Sequence, residues 1–301
     1  MTAKIFVTLM FALICATSIN IYAQEDWERL PGPSNSVIYD FLGTQSGNIL
    51  CGTFMGGLYS TNDKGANWSQ VEASFNNYTS NYFSKIKEGD YLSAGLGVLK
   101  STDDGENWNS IGLENQWLMS IVSFNDTIYI AGGVSPHTYR TSDGGNTWTE
   151  LFTDSLISGT VYSLKVKDDV IYYAGWNRVY KSLDSGINWI KITPNDNYST
   201  YYDLVMTDNN LLFCASDDSS SKIYKSNDLG VTWAPCDNGI TAAYVRKLVS
   251  VGNILIAGTP LGIFVSSDEG ESWTLKSDYF SSGSIRALKV IDNDIYAGTY
   301  F

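Results

Sequence analysis

An all-β chain of repeated four-stranded units is the fold class this sequence predicts, and three observations carry the prediction. The pattern Ser/Thr-x-Asp-x-Gly-x-x-Trp occurs six times, at 61–68, 101–108, 141–148, 182–189, 226–233 and 266–273. Its tryptophans are 40, 40, 41, 44 and 40 residues apart, a period at which blades and solenoid units repeat. Between the motifs, short β-branched and aromatic runs alternate with turn residues, and nothing after residue 23 reads as a helix.

Each motif position has a local physical role. Asp63, Asp103, Asp143, Asp184, Asp228 and Asp268 accept hydrogen bonds from amides of their own turns. The Ser or Thr two residues earlier adds a second local bond, and the Gly two residues later supplies the positive φ of a tight reversal. Trp68, Trp108, Trp148, Trp189, Trp233 and Trp273 bury a large ring while keeping the indole N–H near polar backbone. A turn repeated in this way reads as scaffold, not as six metal or catalytic sites.

The units between motifs share one plan. A short strand follows each Trp, as at 148–151, and a polar loop leads to an apolar strand, as at 161–166. The tight turn Asp168-Asp169 leads into a third run at 170–175, and a loop then leads to 179–182 and the next motif. Four such strands per unit make a propeller blade. The run 27–30 matches a strand after a motif and lies 41 residues before its counterpart at Trp68. It is expected to be the outer strand of a blade whose inner strands, 285–290 and 294–299, come last. Six units plus this shared one predict a seven-bladed β-propeller closed by pairing the two ends of the chain. The sequence stops at Phe301, ahead of a third strand and a seventh motif, so either the chain is a truncated fragment, the favoured expectation, or its last blade is incomplete.

These motifs resemble the Asp-box (BNR) repeats of secreted β-propellers: sialidases, two-propeller xyloglucanases, sortilin-type receptors and photosystem II assembly-factor-like propellers. The resemblance spans nearly the whole chain and implies the fold. It leaves the activity open, because those relatives do different work on one scaffold. It also implies that the motifs lie on one face and that the loops of the opposite face carry the function.

Residues 1–23 read as a secretory signal: Lys4, an apolar core over 5–16, and Ala23 before the cut. The apolar stretch is short for a membrane span, and Ile14 before Cys15 argues against a lipoprotein. Residues 24–301 are then one propeller domain, secreted, periplasmic or at the cell surface, with no membrane insertion and expected as a monomer. The full chain carries a net charge of −13, and loss of Lys4 makes it more negative. That excludes a nucleic-acid partner, whose phosphates demand clustered Lys and Arg. Cys51, Cys214 and Cys236 remain, an odd number that cannot pair fully within one chain. With a single histidine, His137, and no Cys-x-x-Cys, neither a metal site nor a cofactor is expected.

On the loop face the sequence varies, as it does where scaffold ends and function begins. One loop class carries Asn76-Asn77-Tyr78, Asn115-Gln116-Trp117, Asn197-Tyr198, Ala243-Tyr244 and Tyr279-Phe280; the other carries Phe54-Met55, Pro136-His137, Trp176-Asn177-Arg178 and 217–221. Aligned innermost strands put Tyr39, Ser84, Met119, Tyr162, Tyr202, Arg246 and Arg286 in one column. The expected ligand-binding residues are Arg246, Arg286, Trp176, Arg178, Trp117, Tyr39, Tyr162 and Tyr202. The two arginines are placed to grip a carboxylate; the bland alternative pairs them with Asp237 or Asp278.

The enzyme readings lack parts. Sialidases use three arginines, a Tyr–Glu pair, an Asp and an early Arg-Ile-Pro; this chain has five arginines, and Arg29-Leu30-Pro31 lies in an outer strand. The xyloglucanase resemblance implies a catalytic Asp where Phe54 stands in Thr53-Phe54-Met55-Gly56-Gly57. Acids near the loops (Asp40, Glu72, Glu114, Asp154, Asp203) form no singled-out pair of the kind glycoside hydrolysis needs. No catalytic residue is therefore assigned. The expected function is non-catalytic binding of a glycan or protein, with glycoside hydrolase and assembly chaperone as alternatives.

Overall fold

Local hydrogen bonding builds the six turns almost identically in the computed structural model, which describes residues 28–33, 36–71, 82–134, 137–151, 159–195, 198–277, 284–292 and 294–299. The leader, Trp27, Glu72, Asn76, Asn77, Tyr78, Pro136, Asp154, Asn197, Asp278, Tyr279, Phe280 and Phe301 lie outside them. In the fourth motif, Ser182 Oγ donates to Asp184 Oδ1 at 2.9 Å and accepts Gly186 N at 2.9 Å, while Asn188 N donates to Asp184 Oδ1 at 2.8 Å. Gly186 has φ +85, and Ser185 before it is also left-handed at +58. A Cβ at Gly186 would sit 2.4 Å from Ile130 Cδ1 of the preceding blade, so the position is confined by conformation and by space.

The residue before Trp completes the turn, a role the motif pattern passed over. Asn67, Asn107 and Asn188 donate their amides, and Thr147, Thr232 and Ser272 their hydroxyls, to the second carboxylate oxygen of the same Asp. The signal was present, since all six residues there carry a donor. These bonds hold the carboxyls of Asp143 and Asp228 down at about 2.

The described residues contain strands and no helix. The first sheet is β1 (Ile38–Gly43), β2 (Ile49–Thr53), β3 (Gly57–Thr61) and β4 (Ser69–Gln70). The second is β5 (Tyr82–Lys87), β6 (Asp90–Gly95), β7 (Gly97–Ser101) and β8 (Asn109–Ser110); the third is β9 (Leu118–Ser123), β10 (Tyr129–Gly133), β11 (Thr138–Thr141) and β12 (Thr149–Leu151). The fourth is β13 (Val161–Lys167), β14 (Val170–Gly175), β15 (Arg178–Ser182) and β16 (Ile190–Lys191); the fifth is β17 (Tyr201–Met206), β18 (Leu212–Ser216), β19 (Ile223–Ser226) and β20 (Ala234–Pro235). The sixth is β21 (Lys247–Val251), β22 (Ile254–Thr259), β23 (Gly262–Ser266) and β24 (Thr274–Ser277), and β25 (Ile285–Ile291) pairs with β26 (Asp294–Thr299) as a two-stranded sheet. All neighbours are antiparallel and in sequence order, so the six four-stranded sheets are blades of a β-propeller. Asp168 and Asp169, both left-handed, make the tight β13–β14 hairpin.

The first strand of each sheet lies beside that of the next, and β25 touches both β21 and β1. The core is a cycle of interfaces between successive sheets. Ile38, Phe41 and Cys51 of the first sheet pack on Ala287, Ile291 and Tyr296 of the two-stranded one, and Ile256 and Ile263 of the sixth pack on Ile285 and Ile295. Gly298 leaves room for Ile38, whose Cβ is 2.6 Å from where a Gly298 side chain would begin. Three of the motif tryptophans stitch one sheet to the previous one: Trp148, Trp233 and Trp273 donate to Ile111, Ile192 and Cys236 carbonyls at 2.8, 2.7 and 2.8 Å. Trp108 and Trp189 instead donate to the glycine carbonyl of their own turn, and Trp68 packs where the first and last sheets meet. Cys51, Cys214 and Cys236 are buried thiols.

One expectation fails. Glu28–Leu30, read as an outer strand, carry no strand pairing. An outer strand bonds to a third strand, and among the described residues none flanks β26 on its outer side.

Candidate functional site: the loop-face opening of the axis

Strand direction separates two faces. Each first strand runs away from the opening toward the Asp turns, and Asp104 of the second motif accepts Gln45 N and Ser46 N of the β1–β2 turn at 2.8 Å each. The opposite ends of the first strands converge on a narrow opening lined by Tyr39, Tyr82, Tyr162, Tyr202, Arg246, Lys247 and Arg286.

Backbone irregularity aims these side chains. Ile38 pairs with Thr53 and Asp40 with Gly52, which leaves Tyr39 as the extra residue of a β-bulge. The same offset leaves Met119, Tyr162, Tyr202 and Arg286 as the extra residues of β9, β13, β17 and β25. Bulges turn a side chain out of its alternation and favour such rims. In β5 the irregularity falls between Lys85 and Lys87 instead, and Tyr82 and Phe83 stay in regular register. Tyr82 therefore takes the place expected of Ser84, which lies lower along the axis. Met119 does not line the opening.

The rings form two aromatic arcs. Tyr39 meets Tyr82 edge-on at 5.5 Å and Phe54 at 5.9 Å, and Phe54 meets Trp117 at 5.9 Å. Opposite, Tyr162 meets Tyr202 edge-on at 5.3 Å, and Tyr202 meets Tyr244 at 5.7 Å. Pairs at these separations and tilts satisfy the ring quadrupoles. The guanidinium of Arg246 lies 4.9 Å over the Tyr202 ring, a cation–π contact. Burial, and next the neighbouring charge of Arg286, push the Arg246 guanidinium below its ordinary range. Burial likewise raises the Tyr82 and Tyr202 phenols.

Arg246 makes no ion pair with a described acid, and Asp278, one of its two expected partners, lies outside the described residues. Asp237 is engaged by Lys222 N at 2.6 Å. Asp217 accepts Thr200 N at 2.7 Å and the Tyr202 hydroxyl at 3.2 Å. Asp40 accepts Phe41 N at 2.9 Å and Phe83 N at 3.0 Å, tying β1 to β5. Asp203, almost fully buried, does the same between β13, β17 and β21: it accepts Ser163 Oγ at 2.7 Å, Leu204 N at 3.0 Å and Leu248 N at 3.1 Å, with Lys165 and Lys247 at 3.6 and 3.9 Å. Burial raises the Asp203 carboxyl, but the two ammoniums and these bonds outweigh it and leave its pKa lowered. Such ties between neighbouring first strands were not legible in the sequence, because their partners belong to different blades.

The structure thus gathers Tyr39, Tyr162, Tyr202, Arg246 and Arg286 around one opening. Trp117, 42% exposed, joins them through Phe54. Trp176, 48% exposed, and Arg178 lie at the β14–β15 turn, and neither lines the opening. Among the described residues no cluster of His, Cys, Asp and Glu has metal-binding geometry, and no helix is long and apolar enough to cross a membrane.

No protein-family model matches the chain, and no curated protein sequence matches it either. Solved structures do resemble it, at identities that show the fold alone. YCF48 bound to D1 peptide superposes with a TM-score of 0.70 at 15% identity, over 90% of this chain and 92% of that one. The extracellular domain of the putative one-component system BT4673 from B. thetaiotaomicron gives 0.74 at 17%, over 91% of this chain and 39% of that one. The GH74 xyloglucanase from Xanthomonas campestris gives 0.69 at 13%, over 91% and 52%. The neighbours are β-propellers, and they include both a peptide complex and an enzyme.

Proposed function

We propose that this chain is an exported, non-catalytic, seven-bladed propeller of the Asp-box type whose loop face binds a protein partner through a carboxylate. The two-stranded sheet is the seventh blade, and residues 1–23 are the export signal. The observation that carries the reading is Arg246, held over Tyr202 beside Arg286, with no ion pair to a described acid. Two guanidiniums side by side repel, and a carboxylate between them relieves that repulsion with paired, charge-assisted hydrogen bonds. The tyrosine arcs supply the rigid aromatic anchors that protein interfaces favour. YCF48, matched over nearly its whole length, was solved with a peptide bound, whereas the xyloglucanase is matched over about half of its chain.

The chemistry near the opening supports binding over hydrolysis. Asp40, Asp203 and Asp217 are each committed to backbone amides. Every described carboxylate whose pKa is displaced is displaced downward, and a general acid needs the opposite. Phe54 is packed between Tyr39 and Trp117. A glycan is the second reading, supported by exposed Trp117 and Trp176; a glycoside hydrolase ranks behind it.

The test is a peptide array read by tryptophan fluorescence, each peptide ending in a free carboxylate or in an amide, with sialosides and xyloglucan fragments in parallel and mass spectrometry to detect cleavage. Peptides with free carboxylates are expected to bind, and Arg246→Met with Arg286→Met to weaken them by about tenfold or more. Equal binding of amidated peptides, or an unchanged double variant, overturns the carboxylate reading. Cleavage of any glycan overturns the non-catalytic one.

A further inference from the structure

Beneath the opening the axis widens into a cavity of about 350 Å³, which continues into a second of about 570 Å³ on the face of the Asp turns. Lys165 and Lys289 line both. Along the two cavities five lysines (Lys85, Lys165, Lys167, Lys247 and Lys289) face three aspartates (Asp40, Asp203 and Asp292). Two of those aspartates are spent on structure: Asp40 ties β1 to β5, and Asp203 takes three hydrogen bonds and both Lys165 and Lys247. Five lysines against three aspartates leave the axis with an excess of positive charge inside a chain of net charge −13, and low-dielectric walls focus such a field.

Each cavity has two more lysines than aspartates in its lining, and Lys165, shared by both, pairs with Asp203 at 3.6 Å. Lys85, Lys165 and Lys289 reach the wider cavity from β5, β13 and β25, and Asp292 is its one described acid. Lys85 is engaged at the surface by Glu88, three residues on. Lys289 makes no ion pair among the described residues. Small groups of the rim, Thr44, Ser123 and Gly47, leave space beside the ammoniums.

We propose that this vestibule on the Asp-turn face binds a multivalent oxyanion of the phosphate or sulfate class, free or as a monoester, held by Lys289, Lys165 and Lys85. Three ammoniums from separated strands surround a tetrahedral dianion as point charges, the way lysine takes phosphate. The site is separate from the carboxylate-binding opening at the other end of the axis and does not depend on it.

The experiment is calorimetric titration and thermal unfolding of the purified protein with sodium phosphate and sodium sulfate, against sodium chloride at matched ionic strength. Saturable binding and a rise in Tm are expected for the two dianions and not for chloride. Lys289→Met is expected to weaken phosphate by about tenfold or more and Lys85→Met by less, while Arg246→Met with Arg286→Met leaves it unchanged. Lys289→Gln serves beside Lys289→Met, with circular dichroism confirming that each is folded. A chloride response equal to phosphate, full phosphate affinity in both Lys289 variants, or loss only in the arginine variant overturns the proposal. Competition by a sugar phosphate or sugar sulfate assigns the site to a monoester, and its failure with phosphate retained assigns it to the free anion.

Discussion

The two ends of the propeller axis obey opposite rules. On the turn face, six loops repeat one hydrogen-bond scheme, in which both carboxylate oxygens of the motif aspartate accept from donors within four residues. At the loop-face opening, bulged residues from different strands meet, and two arginines stand together in a partly buried setting. The first end is satisfied in the absence of any partner. The second sets the Arg246 guanidinium over Tyr202 and beside the charge of Arg286. A repeat scaffold can afford such a site because its stability is distributed over interfaces between neighbours.

That contrast can be broken most strongly at its scaffold side. Gly298→Val places a side chain 2.6 Å from Ile38 Cβ where the first and last sheets meet; the expected loss is about 3 kcal/mol or more, read as a lowered urea midpoint. Ser182→Ala removes a fully buried hydroxyl that serves both Asp184 and Gly186 N, and an expected loss of about 1–3 kcal/mol lowers Tm by several degrees. At the opening the sign reverses. Arg246→Met removes a cation that burial and Arg286 disfavour, and stability is expected to rise by about 1 kcal/mol while carboxylate affinity falls. A loss of stability there would mean that the opening, like the turns, is scaffold.

The smallest effect concerns acid. Asp143 and Asp228 have folded-state pKa values lowered to about 2 by their turns. A lowered carboxylate contributes stability that is fully present above its unfolded value near 4 and lost as pH falls through its folded one. Acid unfolding followed by fluorescence is expected to begin below pH ~4 and to run toward pH ~2. Asp143→Asn is expected to flatten that limb without altering ligand affinity.

Much of the scaffold was legible because its causes are local. The strands at 161–166, 170–175, 285–290 and 294–299 appear within a residue of their expected bounds. The donor before each Trp was readable too, since Asn, Thr and Ser all carry a short side chain able to donate. The opening was half legible. A column of aligned residues located Tyr39, Tyr162, Tyr202, Arg246 and Arg286, but the shifted bulge in β5 exchanged Ser84 for Tyr82, and no pattern in the sequence marks where a bulge falls.

The sequence by itself determined the repeat, the turn chemistry and the four-stranded unit, because each depends on partners a few residues away. Only the tertiary structure decided which residues face the axis. Arg246 meets Tyr202, Asp40 meets Phe83 N, and Lys85, Lys165 and Lys289 share one cavity because separate sheets pack into a cycle. Contacts made by that packing join residues with no relation along the chain.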